Sequence, residues 1–323
     1  MWIEIVLVIV GVALIVAGAN FMTDGASAIA KRLHIPQIII GLTIVAFGTS
    51  APELVVSVIG SIEGSGGIAV GNVIGSNIFN VLCVLGACAL VHPVPVKLNT
   101  LRFDLPIALV ASILLMLVLS DMPLDGMPSL VSRSEALTLL LFGLLFLLYT
   151  IVVGKQGDDD SETEEEKERN MHWLLAVVYL IGGLAGLVYG GQLFVGNATK
   201  IASSLGVSET LIGLTLVAWG TSFPELATSV VAAMKGNTDI AVGNVIGSNL
   251  FNIFFVLGIS GTVRPLSNLQ FTSLDIWMQL LAMVIALGVA LFWGKREIKR
   301  AEGGVMLLVF ILYNVWIIFN AVG

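Results

Sequence analysis

Residues 41–53 read GLTIVAFGTSAPE, and residues 213–225 read GLTLVAWGTSFPE. Each stretch sets Gly, Thr, Ser, Pro and a carboxylate inside a segment otherwise apolar enough to cross a membrane. Pro52 cannot donate a backbone hydrogen bond to Gly48, and its ring clashes there; Gly48 weakens the turn further. A charged side chain at the bilayer centre costs about 2.5–3.5 kcal/mol on insertion scales. Carbonyls freed near Ala46 to Thr49 need partners, because the bilayer core supplies no water. A bound cation is one such partner. Thr49 and Ser50 add hydroxyl oxygens, and Glu53 adds a carboxylate where the helix restarts. Ala218, Thr221, Ser222, Pro224 and Glu225 repeat every part. Read locally, Ser50 to Glu53 and Ser222 to Glu225 also fit the S/T-x-x-E capping box, with Pro in the first turn. A cap does not explain a helix that restarts in mid-membrane, so the pair is read as a cation site.

The echo extends well beyond these stretches. Residues 41–86 align with 213–258 without a gap at a constant offset of 172, and 29 of the 46 positions are identical. Upstream the register continues, with Gly18 on Gly190, Ile29 on Ile201 and Leu33 on Leu205.

Composition makes the chain a membrane protein. Its 323 residues are 57% hydrophobic and 11% charged, against about a quarter charged in a soluble domain. With ~20 apolar residues needed per spanning helix, ten spans are expected: roughly 3–21, 37–60, 68–90, 102–120, 134–153, 173–193, 209–234, 240–262, 273–294 and 304–321. The short connections leave no room for a sizeable soluble domain. The expected fold is all-α and polytopic: a first five-helix repeat over 1–153, an acidic linker over 154–172 and a second repeat over 173–323. Five is an odd number, so the repeats must have opposite orientation. Secondary transporters are often built this way, with discontinuous helices at a midplane site; spans 2, 3, 7 and 8 are expected to be broken.

Basic residues sort with that topology. Lys31, Arg32, Lys97, Arg102, Lys155, Lys167, Arg169, Lys235, Lys295, Arg296, Lys299 and Arg300 fall in one set of loops, and Arg133, Lys200 and Arg264 in the other. The positive-inside rule then places both termini outside. Trp2, Trp173 and Trp293 lie near span ends, as interfacial anchors do. Met1-Trp2-Ile3-Glu4 has no basic region or cleavage site and reads as a retained first span. The net charge of −7 comes mostly from residues 158–168, DDDSETEEEKE, read as a solvated linker. It lacks the ligand alternation and turn glycine of an EF-hand. Cys83 and Cys88 read as core packing, not a disulfide or metal pair.

A partner motif follows each interrupted stretch. Residues 68–80 read IAVGNVIGSNIFN and 240–252 read IAVGNVIGSNLFN. Asn72, Ser76 and Asn80 form one polar stripe on a helix, and Asn244, Ser248 and Asn252 form its copy. Small residues and Asn or Ser can serve as interhelical glue; beside two carboxylates the stripe is read as completing a cage. Its candidate ligands are all oxygens, which suits Ca²⁺, Mg²⁺ or Na⁺ and not Zn²⁺ or Cu²⁺. Ca²⁺ tolerates irregular coordination by six to eight oxygens, whereas Mg²⁺ keeps water. Glu53 and Glu225 are neutralised by one Ca²⁺ or by two Na⁺, so the ions should compete. An empty site leaves two carboxylates close together at low dielectric, which disfavours crossing unloaded. That is the logic of an exchanger, and protonation should inhibit it.

These motifs resemble the α-repeats of the sodium/calcium exchanger family, within the cation/calcium exchanger superfamily. GTSxPE and GNVIGSN each occur twice, in inverted halves, and the likeness spans the whole chain. It is closest to the compact prokaryotic members. The resemblance implies that Glu53 and Glu225 hold Ca²⁺ with the backbone carbonyls of Thr49 and Thr221. It implies flanking Na⁺ sites at Ala46, Thr49, Ser50 and Ser76 on one side and Ala218, Thr221, Ser222 and Ser248 on the other, with Asn80 and Asn252 facing the centre. Many members carry Asp where this chain has Asn252, so K⁺ dependence is not expected and the stoichiometry is left open. The expected activity is Na⁺/Ca²⁺ antiport by a monomer in the cell (inner) membrane of a prokaryote. The ions are cargo, and neither a cofactor nor a nucleic-acid partner is called for. The nearest alternative is a Ca²⁺/H⁺ or other divalent antiporter, and a more distant one is a cation channel. An enzyme is not indicated: there is no HExxH and no nucleophile with a base, and His34, His92 and His172 lie at span ends or in loops.

Overall fold

The computed structural model describes residues 2–121, 126, 128–154, 171–206, 218–267, 269, 271–293 and 296–322. The acidic linker and the first part of the seventh expected span lie outside the described residues. So do Lys155, Lys167, Arg169 and Lys295.

The described chain is almost entirely helical. The first repeat holds α1 (Trp2–Leu33), α2 (Gln37–Thr49), α3 (Ala51–Glu63), α4 (Gly66–Val91), α5 (Thr100–Val118) and α6 (Arg133–Gly154). In the second are α7 (Trp173–Ser204), α8 (Phe223–Met234), α9 (Thr238–Val263), α10 (Ser273–Leu291) and α11 (Arg300–Val322). Among the described residues eight helices are long and apolar enough to cross a membrane, and α2 with α3 makes a ninth span, bent by 47°. Helix α8 follows a short helical turn at Ala218–Gly220 and forms the described part of the seventh expected span.

Helices α1 and α7 run well past the apolar stretches that signal them. Each is 32 residues long, against expected spans of 3–21 and 173–193. The polar residues that end the hydropathy signal of α1 are accommodated within the helix: Asn20 Nδ2 donates to the carbonyl of Val16, and Thr23 Oγ1 to that of Ala19.

These two helices hold the repeats together and reveal their relative orientation. Gly11, Ile15, Gly18, Met22, Gly25 and Ile29 are buried at alternating spacings of four and three, a continuous seam along one face. A Cβ on Gly18 would lie 2.7 Å from the carbonyl oxygen of Gly183 and from the nitrogen of Leu187; one on Gly25 would lie 2.7 Å from the carbonyl of Ala176. The partner residue number falls as the α1 number rises, so the equivalent first helices of the two repeats pack antiparallel, and the repeats are inverted. Lipid offers no hydrophobic drive between helices, so backbone approach at small residues does the joining. Large side chains of α1 such as Ile3, Val6, Ile9 and Val16 face outward, as lipid-facing residues do. Trp2 and Trp173 are exposed at helix starts.

Loops of the two repeats also pair crosswise. Strand β1 (Val94–Pro95) pairs antiparallel with β2 (Glu297–Ile298), and Val131 bridges to Leu266. The offset of 172 carries Val94 onto Leu266, so each repeat's connection after its third span meets the other's connection before its last. Lys97 pairs with Asp239 at 3.0 Å and Lys235 with Asp24 at 2.8 Å. Cys88 is buried, Cys83 partly so, and both thiols are free.

The expected breaks take two forms. In the second span the helix bends after Thr49 and restarts at Ala51, with Ser50 at φ −85° and ψ 7°. Helices α4 and α9, the third and eighth spans, are instead continuous; their expected break is replaced by a π-helical segment, Phe79–Val84 in one and Asn252–Val256 in the other. A π segment adds a residue to one turn and re-aims its side chains, a feature frequent at functional sites.

Candidate cation site

Helices α3 and α8 begin near one another in the interior, each with a glutamate in its first turn. Glu53 and Glu225 are both fully buried. Their links are crossed: Ser50 Oγ donates to Glu225 Oε1 at 2.8 Å, and Ser222 Oγ to Glu53 Oε1 at 2.9 Å. The two bonds are exchanged by the offset of 172, so the pair straddles a pseudo-twofold axis between the repeats.

This geometry corrects the capping-box reading. Neither Ser50 nor Ser222 caps its own helix with its side chain. Each hydroxyl serves the carboxylate of the opposite repeat, because a hydrogen bond to a buried charge is worth more than one to a neutral amide.

The stripes of α4 and α9 support the restarted helices. Asn72 Nδ2 donates to the Glu53 carbonyl at 3.1 Å and to Ser57 Oγ at 3.0 Å. Its counterpart Asn244 donates to Ser229 Oγ at 2.9 Å and to the Glu225 carbonyl at 3.5 Å. These asparagines hold the backbone that carries each carboxylate. Ser76 Oγ lies 3.0 Å from Ser222 Oγ and 3.5 Å from Glu53 Oε1. Thr49 Oγ1 donates to Asn244 Oδ1 at 3.1 Å and approaches the Ala46 carbonyl at 3.4 Å. Ser248, Asn80 and Asn252 are buried on the same two helices, and Thr221 immediately precedes Ser222. Ala46 is buried at the last turn of α2, and Ala218 starts the turn before Thr221.

Several buried oxygens here have no hydrogen-bond partner: Glu53 Oε2, Glu225 Oε2, Thr221 Oγ1, Ser248 Oγ, Asn80 Oδ1 and Asn252 Oδ1. Leaving buried polar atoms unpaired costs about 1–3 kcal/mol each, and more for charged groups. Grouped around two carboxylates, they form a donor set suited to a hard cation. No cluster of three or more His, Cys, Asp or Glu with metal-site geometry occurs among the described residues; the set depends on hydroxyl and amide oxygens to complete it.

Two residues of the site escaped the motif reading. Asn77 and Asn249 stand one position after Ser76 and Ser248, off the stripe, yet both are buried. Asn252 Nδ2 donates to Asn77 Oδ1 at 3.2 Å, and Asn249 Nδ2 to the Asn77 carbonyl at 3.4 Å. Their occurrence in both copies of GSN was the available signal.

Glycines of α9 allow close backbone contact. On one side α2 lies tight on α9: a Cβ on Gly243 would be 2.6 Å from the Ile38 carbonyl, and one on Gly247 would be 2.5 Å from that of Leu42. Among the described residues, nothing lies within 4 Å of a Cβ on the equivalent glycines of α4, Gly71 and Gly75; the counterparts of Ile38 and Leu42 lie outside the described residues.

Comparison with known proteins places the chain clearly. The family described as sodium/calcium exchanger protein matches residues 3–152 and 175–319. CaxA of Alkalimonas amylolytica, which bears an antiporter's name, is 40% identical over 99% of this chain and 100% of its own length. A sodium/calcium exchanger of Methanosarcina acetivorans is 32% identical over 97% of this chain and 98% of its own. Among solved structures, the sodium-calcium exchanger NCX_Mj soaked with Na⁺ and without Ca²⁺ superposes with a TM-score of 0.82, at 30% identity over 96% of this chain and 97% of that one.

Proposed function

Since the chain belongs to the sodium/calcium exchanger protein family, and so is a cation/Ca²⁺ antiporter and not an enzyme, we propose that it exchanges Na⁺ for Ca²⁺ through the crossed Glu53–Glu225 site. Glu53 and Glu225 bind Ca²⁺ together with backbone carbonyls of Thr49 and Thr221. Na⁺ occupies flanking positions built from Ala46, Thr49, Ser50 and Ser76, and from Ala218, Thr221, Ser222 and Ser248. Asn80 and Asn252 turn amide oxygens toward the centre. The observation that carries this reading is the group of unpaired buried oxygens around two buried carboxylates. One Ca²⁺ or two Na⁺ balance the two negative charges, so the ions compete for one cage.

Both termini lie outside a prokaryotic inner membrane in this reading, supported by the sorting of Lys and Arg between alternate loops. The functional unit is a monomer, because the site is assembled from two repeats of one chain.

A proton could also satisfy the unpaired Oε2 atoms, so the coupling ion is the point to test. Ca²⁺ uptake is measured in inverted vesicles driven by a Na⁺ gradient, with an ionophore clamping pH, and then by a pH gradient without Na⁺. Uptake that follows the Na⁺ gradient supports the proposal. Uptake that follows only the pH gradient makes the protein a Ca²⁺/H⁺ antiporter, and a single-channel conductance would refute alternating access.

A further inference from the structure

Three hydrogen bonds between side chains of the two repeats break the twofold symmetry at the centre of the molecule, as does the bond from Asn249 Nδ2 to the Asn77 carbonyl, whose counterpart donor Asn77 Nδ2 is unpaired. Thr49 Oγ1 bonds Asn244 Oδ1, Ser222 Oγ bonds Ser76 Oγ, and Asn252 Nδ2 bonds Asn77 Oδ1. The offset of 172 turns these into Thr221 with Asn72, Ser50 with Ser248, and Asn80 with Asn249. All three counterparts are unmade, and four of the six atoms that would make them are in the unpaired buried set: Thr221 Oγ1, Ser248 Oγ, Asn80 Nδ2 and Asn249 Oδ1. Asn80 and Asn249 supply both a missing donor and its missing acceptor, on side chains 0% and 2% exposed.

We propose that Asn77 and Asn249 are positioning residues that act in alternation, Asn77 holding Asn252 in the state described here and Asn249 holding Asn80 in the oppositely facing state. This rests on the alternating-access reading above. The physical argument is symmetry. The two halves carry the same residues, so exchanging their conformations exchanges their hydrogen bonds. Each asparagine also fixes which way a site amide points: with Nδ2 of Asn252 held by Asn77, its Oδ1 is left free for a cation. The switch thus keeps one site amide oriented and one released in either state. A buried donor and acceptor left unpaired also keep the present state from being too stable to leave, because the opposite state satisfies them.

The test uses the sidedness of Ca²⁺ affinity. When only a fraction of molecules faces a given side, apparent affinity there falls in proportion. Ca²⁺ half-saturation is measured on both membrane faces, in right-side-out and inverted vesicles, and expressed as a ratio. Asn77→Ala removes the 3.2 Å bond to the site amide of Asn252 in the present state, and Asn249→Ala removes its counterpart to Asn80 in the opposite state. Each also removes one longer bond to the other's backbone carbonyl, 3.4 Å from Asn249 Nδ2 in the present state and its counterpart from Asn77 Nδ2 in the opposite one, so the shorter bond to the site amide sets the direction. The two variants are expected to move the ratio in opposite directions, each by at least about threefold, and the double variant is expected to return it toward wild type. Should Asn77→Ala fail to reach the membrane, Asn77→Ser takes its place. A common direction of change, or lowered transport with an unchanged ratio, reduces both residues to ordinary packing and overturns the inference. Wild-type protein that moves no Ca²⁺ overturns the functional reading and this inference with it; wild-type exchange with ratios that fail to diverge overturns this inference alone.

Discussion

At the scale of the residue, the candidate site rests on two carboxylates whose charge is costly to hold in this interior without a cation beside it. Glu53 and Glu225 are fully buried, and the described partners of their side-chain oxygens are hydroxyls rather than cationic groups. Replacing either by Gln removes half the counter-charge for Ca²⁺ and should abolish Ca²⁺ flux in reconstituted vesicles. The same substitution removes a buried charge, so the melting temperature in cation-free detergent should rise. Near-normal flux in either variant would refute a shared site. The crossed serines predict a second result. A hydrogen bond to a charged group is worth about 1.5–3 kcal/mol, so Ser50→Ala and Ser222→Ala should each raise Ca²⁺ half-saturation by about tenfold or more. Equal effects are expected from the two, because each serves the other repeat's carboxylate. If the hydroxyls only capped their own helices, the loss would appear in thermal stability and leave half-saturation unchanged. The sequence supplied the identity of these residues but not this wiring. Ser-x-x-Glu spacing is satisfied by a local cap as readily as by a bond across the axis, and only the opposing repeat decides between them. Asn77 stayed hidden for a related reason. A straight helix turns it away from the Asn72–Ser76–Asn80 stripe, whereas in the fold the facing helix α9 crosses on that side.

At the scale of the element, what hydropathy shows is how far a helix runs through lipid, not how far it runs. The stretch containing Asn20, Thr23 and Asp24 is polar enough to end an apolar window, yet α1 continues to Leu33. Asp24 is held there by Lys235, from beyond the end of α8. The π segments were likewise invisible, since FNVLCV and NIFFV have no glycine or proline to announce a change of winding. Glycines, by contrast, carry a prediction the repeat makes unusually clean. Gly71 and Gly243 are equivalent in sequence, and their surroundings among the described residues differ. An alanine at 243 would bring its Cβ within 2.6 Å of the Ile38 carbonyl and 2.9 Å of the Leu42 nitrogen, forcing two backbones apart. Overpacking of this kind costs about 1–3 kcal/mol, so Gly243→Ala should lower the melting temperature by several degrees, on the order of 2–4 °C per kcal/mol. Gly71→Ala meets no described atom within 4 Å and should be neutral or slightly stabilising, as alanine is the better helix former. Equal destabilisation of the two variants, read by thermal unfolding in detergent, would mean that the halves are packed alike in solution.

At the scale of the whole molecule, inversion converts one motif into a carrier. A single GTSxPE stretch gives a bent helix with a costly charge; two, related by an antiparallel α1–α7 seam, give a site that both repeats share and that rocking of one repeat against the other can expose to either side. The odd number of spans per repeat made this arrangement legible before any coordinates, because five spans force the second copy to be upside down. The asymmetry between the halves was not legible, since identical residues cannot report which of two equivalent states is occupied. On the proposed function, the charge balance sets the coupling. Loaded with one Ca²⁺ or two Na⁺, the pair is neutral; empty, it carries two uncompensated carboxylates, each costing at least about 2.5–3.5 kcal/mol in a membrane interior. Return without cargo should therefore be slower than exchange by a factor on the order of 100 or more. The measurement is Ca²⁺ efflux from loaded proteoliposomes, with the membrane potential clamped, into medium containing Na⁺, Ca²⁺ or only a large impermeant cation. Efflux should be fast into the first two and nearly absent into the third. Acidifying the third medium should restore some efflux if protons can discharge the pair and let the empty carrier return. Rapid efflux into the impermeant cation at neutral pH would show that ions cross without exchange, and the two glutamates would then line a pore.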